Sequence, residues 1–274
     1  MKVLKNPSRK YGISQGRLTK SRELQRFPYE SWKQEFYDAS RLGISFIELL
    51  TERKYNKENP IWSESGRKEI KDICNLNNSE IYSICADYII DHSLLFDSSA
   101  LEHLENLFDA AHDLGSSLVI LPMLEKSNLD SENMSSYIKV LRYLSRKAAS
   151  HNLIICIESL LKSSDLVNLL DTVNEKNLKA VFDTGNRVLE CNNLENEIIA
   201  LKKYIQHIHI KDKNEKGENV ILGTGLVNFS EVFSALNYIK YKGALNFETT
   251  RGSDPIETAR YHINLCNFFT NDVL

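Results

Sequence analysis

The sequence contains no C-x-x-C pair, and its five cysteines, at 74, 85, 156, 191 and 266, are odd in number and scattered. A disulfide framework and a thiolate zinc site are both excluded by that spacing, which leaves free thiols in a reducing compartment. No run of about 18 apolar residues is present to span a membrane, and the opening MKVLKNPSRKYG has no apolar core of the kind a secretory signal needs. A cytoplasmic location without membrane attachment is therefore expected. Excess basic charge is missing too: 34 Lys+Arg stand against 37 Asp+Glu. Nucleic acid is thus an unexpected partner, and a small, neutral or modestly charged substrate fits better. No low-complexity tract, heptad seam or domain linker interrupts the chain, so residues 1–274 are expected to form a single domain.

What is present is a repeat of short apolar runs. YGIS at 11, ISFIELL at 44, IYSICAD at 81, SLVILP at 117, LIICIES at 153, LKAVFD at 178, IQHIHIKD at 205 and ALNFET at 244 each read as a buried parallel strand. Their starts recur at roughly the 30-residue interval of a βα unit. Eight such units predict an α/β fold of the closed (β/α)8 TIM barrel type, whose usual length is about 250 residues.

Helical segments separate the runs. Ser31-x-x-Gln34 and Ser99-x-x-Glu102 have the capping-box form and precede apolar positions at helical spacing. Gly115 stands where a left-handed C-cap is expected, and Asp254-Pro255 marks the start of the last helix. Residues 51–65, TERKYNKENPIWSES, form a long polar insert after the second strand, either a lid over the functional face or a solvated loop.

The strand ends carry the chemistry. Glu158, Asp183, His209 and Glu248 lie at or near the ends of the fifth to eighth runs. In a barrel those ends converge on one face, and three carboxylates with one imidazole make a site for a hard-to-intermediate divalent ion. One acid at a strand end means little, because acids also cap the helix that follows. Four in succession is different: unpaired buried carboxylates cost several kcal/mol each, and a shared cation offsets this for all of them. The other strands deliver Ser14, Gln15 and Arg17, then Glu48, then Asp87, while the fourth ends apolar at Pro122. Lys211 shares the parity of His207 and His209 and reaches the same face. His209 lies nearer the open end than His207, which reads as a packed core histidine. Asp212 reads as a loop anchor, and Arg251, just before a helix N-terminus, as an anion grip.

These residues carry a resemblance. Through YGISQGRL, LGISFIEL, SICADY, VILPMLEKS, IES, FDTGN, HIHIKDKNEKGENVILGTGLVNF and FET, the chain resembles the sugar phosphate isomerase/epimerase family with the xylose isomerase-like barrel. The resemblance implies that Glu158, Asp183, His209 and Glu248 bind one divalent metal. Manganese is the first choice, with magnesium, cobalt and zinc as alternatives. It further implies that Glu158 and Glu248 are the catalytic acid/base pair of an enediolate mechanism, with a sugar or sugar phosphate as substrate. Gln15, Arg17, Glu48, Asp87, Asn186, Lys211 and Arg251 are the candidate substrate-binding residues. Asn186 stands where several relatives have a substrate-binding histidine, a departure that bears on which sugar is taken.

Gly223-Thr224-Gly225 resembles a phosphate loop only superficially, since it has neither the lysine of a P-loop nor the third glycine of a dinucleotide fingerprint. A dehydratase or lyase on the same barrel is the alternative activity. An endonuclease IV-like nuclease is disfavoured, because too few histidines converge for a three-metal cluster. A non-catalytic sugar-binding barrel is disfavoured by the intact acidic set. A homo-oligomer is left open by Trp62 and the Asn267, Phe268, Phe269 tail, which read as exposed.

Overall fold

The computed structural model describes residues 10–271 except 22 and 192, so most of the opening segment examined for a signal lies outside the described residues. Eight parallel strands close into one barrel in chain order. They are β1 (Tyr11–Ser14), β2 (Phe46–Thr51), β3 (Ser83–Ala86), β4 (Leu118–Pro122), β5 (Ile154–Glu158), β6 (Leu178–Asp183), β7 (Ile205–Ile210) and β8 (Leu245–Phe247). Each coincides with one of the eight expected runs. The ring closes where Tyr11, Gly12 and Ile13 pair with Leu245, Asn246 and Phe247.

Among the described residues, ten α-helices follow or separate the strands: α1 (Trp32–Leu42), α2 (Glu64–Asn77), α3 (Tyr88–Asp91), α4 (Ser98–Leu114), α5 (Met134–Ser150), α6 (Ser163–Val173), α7 (Thr184–Val188), α8 (Leu194–Leu201), α9 (Phe229–Tyr238) and α10 (Pro255–Asn271). The punctuation is partly as expected. Gly115 caps α4 in the left-handed region at φ 74°, and Asp254 Oδ1 accepts from the N–H groups of Ile256 and Glu257 to start α10. Neither capping box forms, however. Ser31 makes no cap bond, because its hydroxyl is engaged with that of Thr19, and α4 is capped two residues before Ser99 by Asp97, which accepts from Ser99 N. Asp97 competes successfully because a carboxylate is the stronger acceptor.

Helices pack around the outside of the ring through Phe36, Leu104, Leu107, Phe108, Leu141, Leu144, Leu169 and Val232, all buried. The lumen is divided. On the β3–β6 side it is filled by Cys85, Leu118, Ile120, Cys156 and Val181. On the other side it is polar, with Ser14, Glu48, Ser83, His207 and Asn246 buried together. Gly12 makes this possible: a Cβ there would stand 2.1 Å from the Phe46 ring, which plugs the lower lumen against Tyr82 at 4.7 Å. All five cysteines are free. The C-terminal tail is less exposed than its sequence suggests. Phe268 is exposed, but Asn267 is buried and accepts from the Tyr11 hydroxyl at 2.7 Å, while Phe269 stacks on Phe233. Phe269 is half-buried.

Candidate metal centre and active site

Glu158 and Asp183 are the last residues of β5 and β6, His209 is the second-last of β7, and Glu248 follows β8 directly. The barrel brings all four together, each buried, with one ligating atom from each within 4.8 Å of the others. His209 Nδ1 lies 2.9 Å from Glu248 Oε2, 3.4 Å from Glu158 Oε2 and 3.7 Å from Asp183 Oδ2. It nevertheless makes an aligned hydrogen bond to none of them, and Asp183 Oδ2 is likewise without one. A ring nitrogen and three carboxylate oxygens pointing at one another without hydrogen-bond geometry are donors arranged around a common centre. Three oxygens and one imidazole nitrogen suit manganese, magnesium or zinc, so the residues present fit a divalent ion.

Charge leads to the same requirement. Glu48, Glu158, Asp183 and Glu248 bring four negative charges, whereas the permanent cations in contact with them are Lys211 and Arg17. With the His209 imidazole neutral, as a metal ligand must be, two negative charges remain, the number a divalent ion would neutralise. Burial pushes the Glu158 carboxyl up; for Glu248 burial is outweighed by Lys211, His209 and Arg17, which hold it well below the ordinary carboxylate range.

His209 is held from behind. Its Nε2 lies 3.1 Å from Glu48 Oε1, and Glu48 in turn accepts from His207 Nε2 at 2.9 Å, Ser83 Oγ at 2.8 Å and Asn246 Nδ2 at 2.9 Å. Burial opposes ionisation of Glu48, but His209 and His207 outweigh it and keep the carboxylate charged. His207 donates through Nε2 and leaves Nδ1 without a partner, as a neutral imidazole does; burial is the main cause of its lowered pKa. Glu48 thus sits within β2 beneath the quartet, close to His209 Nε2 but without an aligned hydrogen bond to it, a position from which a carboxylate can support a ligating histidine.

Lys211 is buried one residue past β7, with Nζ 2.8 Å from Asp183 Oδ2 and 2.9 Å from Glu248 Oε1. Its stem lies across Gly185, where a Cβ would stand 2.7 Å from Lys211 Cγ. Burial alone would lower the Lys211 pKa, but Asp183, Glu248 and Glu158 outweigh it and keep the ammonium charged.

A cavity of about 230 Å³ opens above these groups. Arg17, Asp87, Asn186 and Lys211 line it with Glu48 and three of the quartet, Glu158, His209 and Glu248. Asn186 Nδ2 donates to Glu158 Oε1 at 2.7 Å. Burial pushes the Asp87 carboxyl up to about 7. Arg17 donates to Leu24 O at 2.7 Å and Gln25 Oε1 at 2.5 Å and reaches Glu248 Oε1 at 3.4 Å. Two candidates lie elsewhere. Gln15 is turned away, its Oε1 accepting from Leu50 N at 3.3 Å. Arg251 donates to the carbonyls of Gly16 at 2.7 Å and Leu24 at 3.1 Å, so it ties down the loop after β1 instead of facing the cavity. Asp212 anchors the Gly223–Gly225 loop, accepting from the N–H groups of Gly223, Gly225 and Val227. The mouth also includes Gln25, Arg53, Glu125, Lys213 and Asn219, which the sequence did not single out. All five come from loops, where neither period identifies a functional position. In the 51–65 insert, Arg53 binds both Asp91 and Glu125 and forms part of the rim.

Among curated proteins, an L-ribulose 3-epimerase from Methylomonas sp. (strain DH-1) is 27% identical over 126 residues, which is 43% of each chain. Among solved structures, a D-psicose 3-epimerase from Clostridium cellulolyticum H10 with D-tagatose superposes with a TM-score of 0.75 at 15% identity, covering 95% of this chain and 99% of that one. A xylose isomerase-like TIM barrel protein from Mycobacterium smegmatis in complex with magnesium gives 0.71 at 16% identity, over 96% and 97%. The family described as Xylose isomerase-like TIM barrel matches residues 36–267, and with the closed barrel above this places the chain in that family.

Proposed function

We propose that this protein is a divalent-metal-dependent ketose epimerase acting on an unphosphorylated sugar. The observation that carries the reading is the convergence of Glu158, Asp183 and Glu248 on the Nδ1 of His209 without mutual hydrogen bonds. The named activities of the Methylomonas and Clostridium proteins support the sugar class. A divalent ion held by the quartet would supply Lewis-acid polarisation of the ketose oxygens, which acidifies the carbon-bound proton beside the carbonyl and stabilises the charge that develops.

The chain's own groups do the rest. Glu158 ends β5 and Glu248 follows β8, three strands further round the ring, so the two carboxylates reach the centre from different sides. One removes the proton from carbon and the other returns it on the opposite face, which inverts that centre. Asn186 holds Glu158 by its Oε1, and Lys211 and Arg17 hold Glu248 by its Oε1, leaving each Oε2 directed at the quartet. Asp87, near-neutral by burial, offers a carboxyl to sugar hydroxyls.

The commitments of the cations favour a neutral substrate. Arg17, Arg53 and Lys211 at the mouth are each paired with protein carboxylates, and of the described lining cations only Lys213 is unpaired. A phosphate group would find Lys213 as its one uncommitted cation there, and any further charge partner would have to come from breaking one of those pairs.

The test measures metal content of the purified protein, with Glu158→Gln and Glu248→Gln beside wild type, and deuterium incorporation from heavy water into L-ribulose, D-tagatose, D-psicose and their phosphates. About one divalent ion per chain and exchange of a carbon-bound proton into a free ketose, lost in both variants, is expected. Absence of bound metal after growth with manganese, or exchange that survives in both variants, refutes the proposal. A product lighter by water would replace it with a dehydratase.

A further inference from the structure

A second cavity, of about 510 Å³, lies on the outer side of the 51–65 insert, between that insert and α4. Its lining shares no residue with the mouth cavity. The insert is the partition: Arg53 faces the mouth, whereas Tyr55 and Trp62 face this second space.

Aromatic rings form one wall. His103 stacks on Tyr88 at 4.0 Å with planes 12° apart, and Tyr88 stacks on His92 at 3.9 Å and 4°. Trp62 stands edge-on to His103 at 4.9 Å, and Tyr55 lies 5.5 Å from Trp62 with 59% of its surface exposed. Burial lowers the His103 pKa to about 4, so its ring is a neutral aromatic face at physiological pH. Glu102, Asn106 and Asp109, spaced by one helical turn along α4, complete the lining with the small Ala110, and Asp109 is paired with His151 at 2.7 Å.

Several polar groups on this surface have no partner. Among the described residues, the Tyr55 hydroxyl, the Trp62 indole N–H, the Glu102 carboxylate and the Asn106 amide make no hydrogen bond or ion pair, although all four residues line one cavity. Packing accounts for the ring stack, and the polar groups beside it are solvated and therefore open to a ligand. The charge on the walls narrows the ligand. Glu102 and Asp109 disfavour an anion, while Arg67, tied to Asp113, disfavours a cation. A neutral ring with an apolar face and a hydroxyl edge matches both walls, since C–H faces stack on aromatic rings and vicinal hydroxyls engage a carboxylate and an amide.

We infer that the cavity bounded by Tyr55, Trp62, His103, Glu102 and Asn106 is a second carbohydrate site that takes one pyranose ring. That ring is a separate monosaccharide, since the 51–65 insert stands between this space and the mouth. The inference is independent of the proposed epimerisation, because no residue of the quartet contributes to it.

The probe is methyl β-D-glucopyranoside, which has no free carbonyl and cannot undergo the chemistry proposed for the mouth. Trp32 is buried, so fluorescence changes on titration report on Trp62. A saturable change is expected in wild type, weakened about tenfold or more in both Tyr55→Ala and Glu102→Ala and unchanged in Glu248→Gln. Both truncated side chains are exposed, and matching melting curves confirm intact folds. Cellobiose should bind no tighter than the methyl glucoside and be insensitive to Glu248→Gln; tighter binding that falls in Glu248→Gln would overturn the reading as a separate site. The inference is overturned if no saturable change appears for the methyl glucosides and galactosides up to about 100 mM, or if the change persists in both cavity variants.

Discussion

Replacing Lys211 with methionine tests the electrostatic account of the site. The ammonium lies within 2.8 Å of Asp183 Oδ2 and 2.9 Å of Glu248 Oε1, and all three groups are buried. Removing one partner of a buried pair leaves the other charges uncompensated, at about 3–5 kcal/mol. At roughly 2–4 °C per kcal/mol for a domain of this size class, the metal-free protein should melt about 10 °C lower. Because the Lys211 pKa is raised, the wild-type ammonium is intact at every pH below the ordinary lysine value, so its contribution does not vary between pH 5 and 9. In the variant, by contrast, lower pH protonates a carboxylate and shrinks the penalty. A divalent ion supplies the missing positive charge, so the gap between wild type and variant should fall to less than half when metal is added. The assay is differential scanning calorimetry of both proteins with chelator and with manganese at pH 5.5 and 8. A metal-free gap under about 2 °C, or a gap that widens on adding metal, would refute the charge account.

Other perturbations test other parts of the structure. Glu48→Gln should weaken metal binding by about 10–100-fold in competition titrations while the barrel stays folded; unchanged affinity would remove Glu48 from its supporting role. Glu35, buried with its carboxylate on Gly16 N, Leu18 N and Thr19 Oγ1, has its pKa pushed up to about 7 by burial. A raised carboxyl stabilises the fold most below its unfolded value near 4.5, and that contribution is lost as pH rises through about 7, by up to about 3 kcal/mol. Urea unfolding of wild type should therefore lose stability relative to Glu35→Gln between pH 4.5 and 8, and a pH-independent difference contradicts this. Asp212→Ala frees three backbone N–H groups and should cost about 2–4 kcal/mol, with faster amide exchange at Gly223, Gly225 and Val227; unaltered exchange there would show that the loop holds itself.

The barrel was legible because its strands are short apolar runs set apart by helix starts, and burial on both faces leaves no alternation to obscure them. The quartet was legible for the same reason: strand ends in a barrel are fixed positions, so Glu158, Asp183, His209 and Glu248 could be assigned to one face before any coordinates. Glu48 lies three residues short of the end of β2, and strand parity alone gives no height along the axis, so its place beneath His209 was hidden. Arg251 and Gln15 stand in loops whose course depends on which carbonyls need donors, a tertiary question. Ser31 and Ser99 had the sequence of a cap but lost that role to neighbouring side chains, which local pattern cannot foresee.

Gly185 and Lys211 belong to different βα units, yet they form a single heritable choice. The long cationic side chain can lie across α7 only while position 185 carries no side chain, because any Cβ would overlap its stem. A lineage that acquires alanine at 185 is pushed toward a shorter residue at 211, and with it toward a different charge balance at the quartet. Reprogramming of this barrel, by drift or by design, therefore has to change the two positions together.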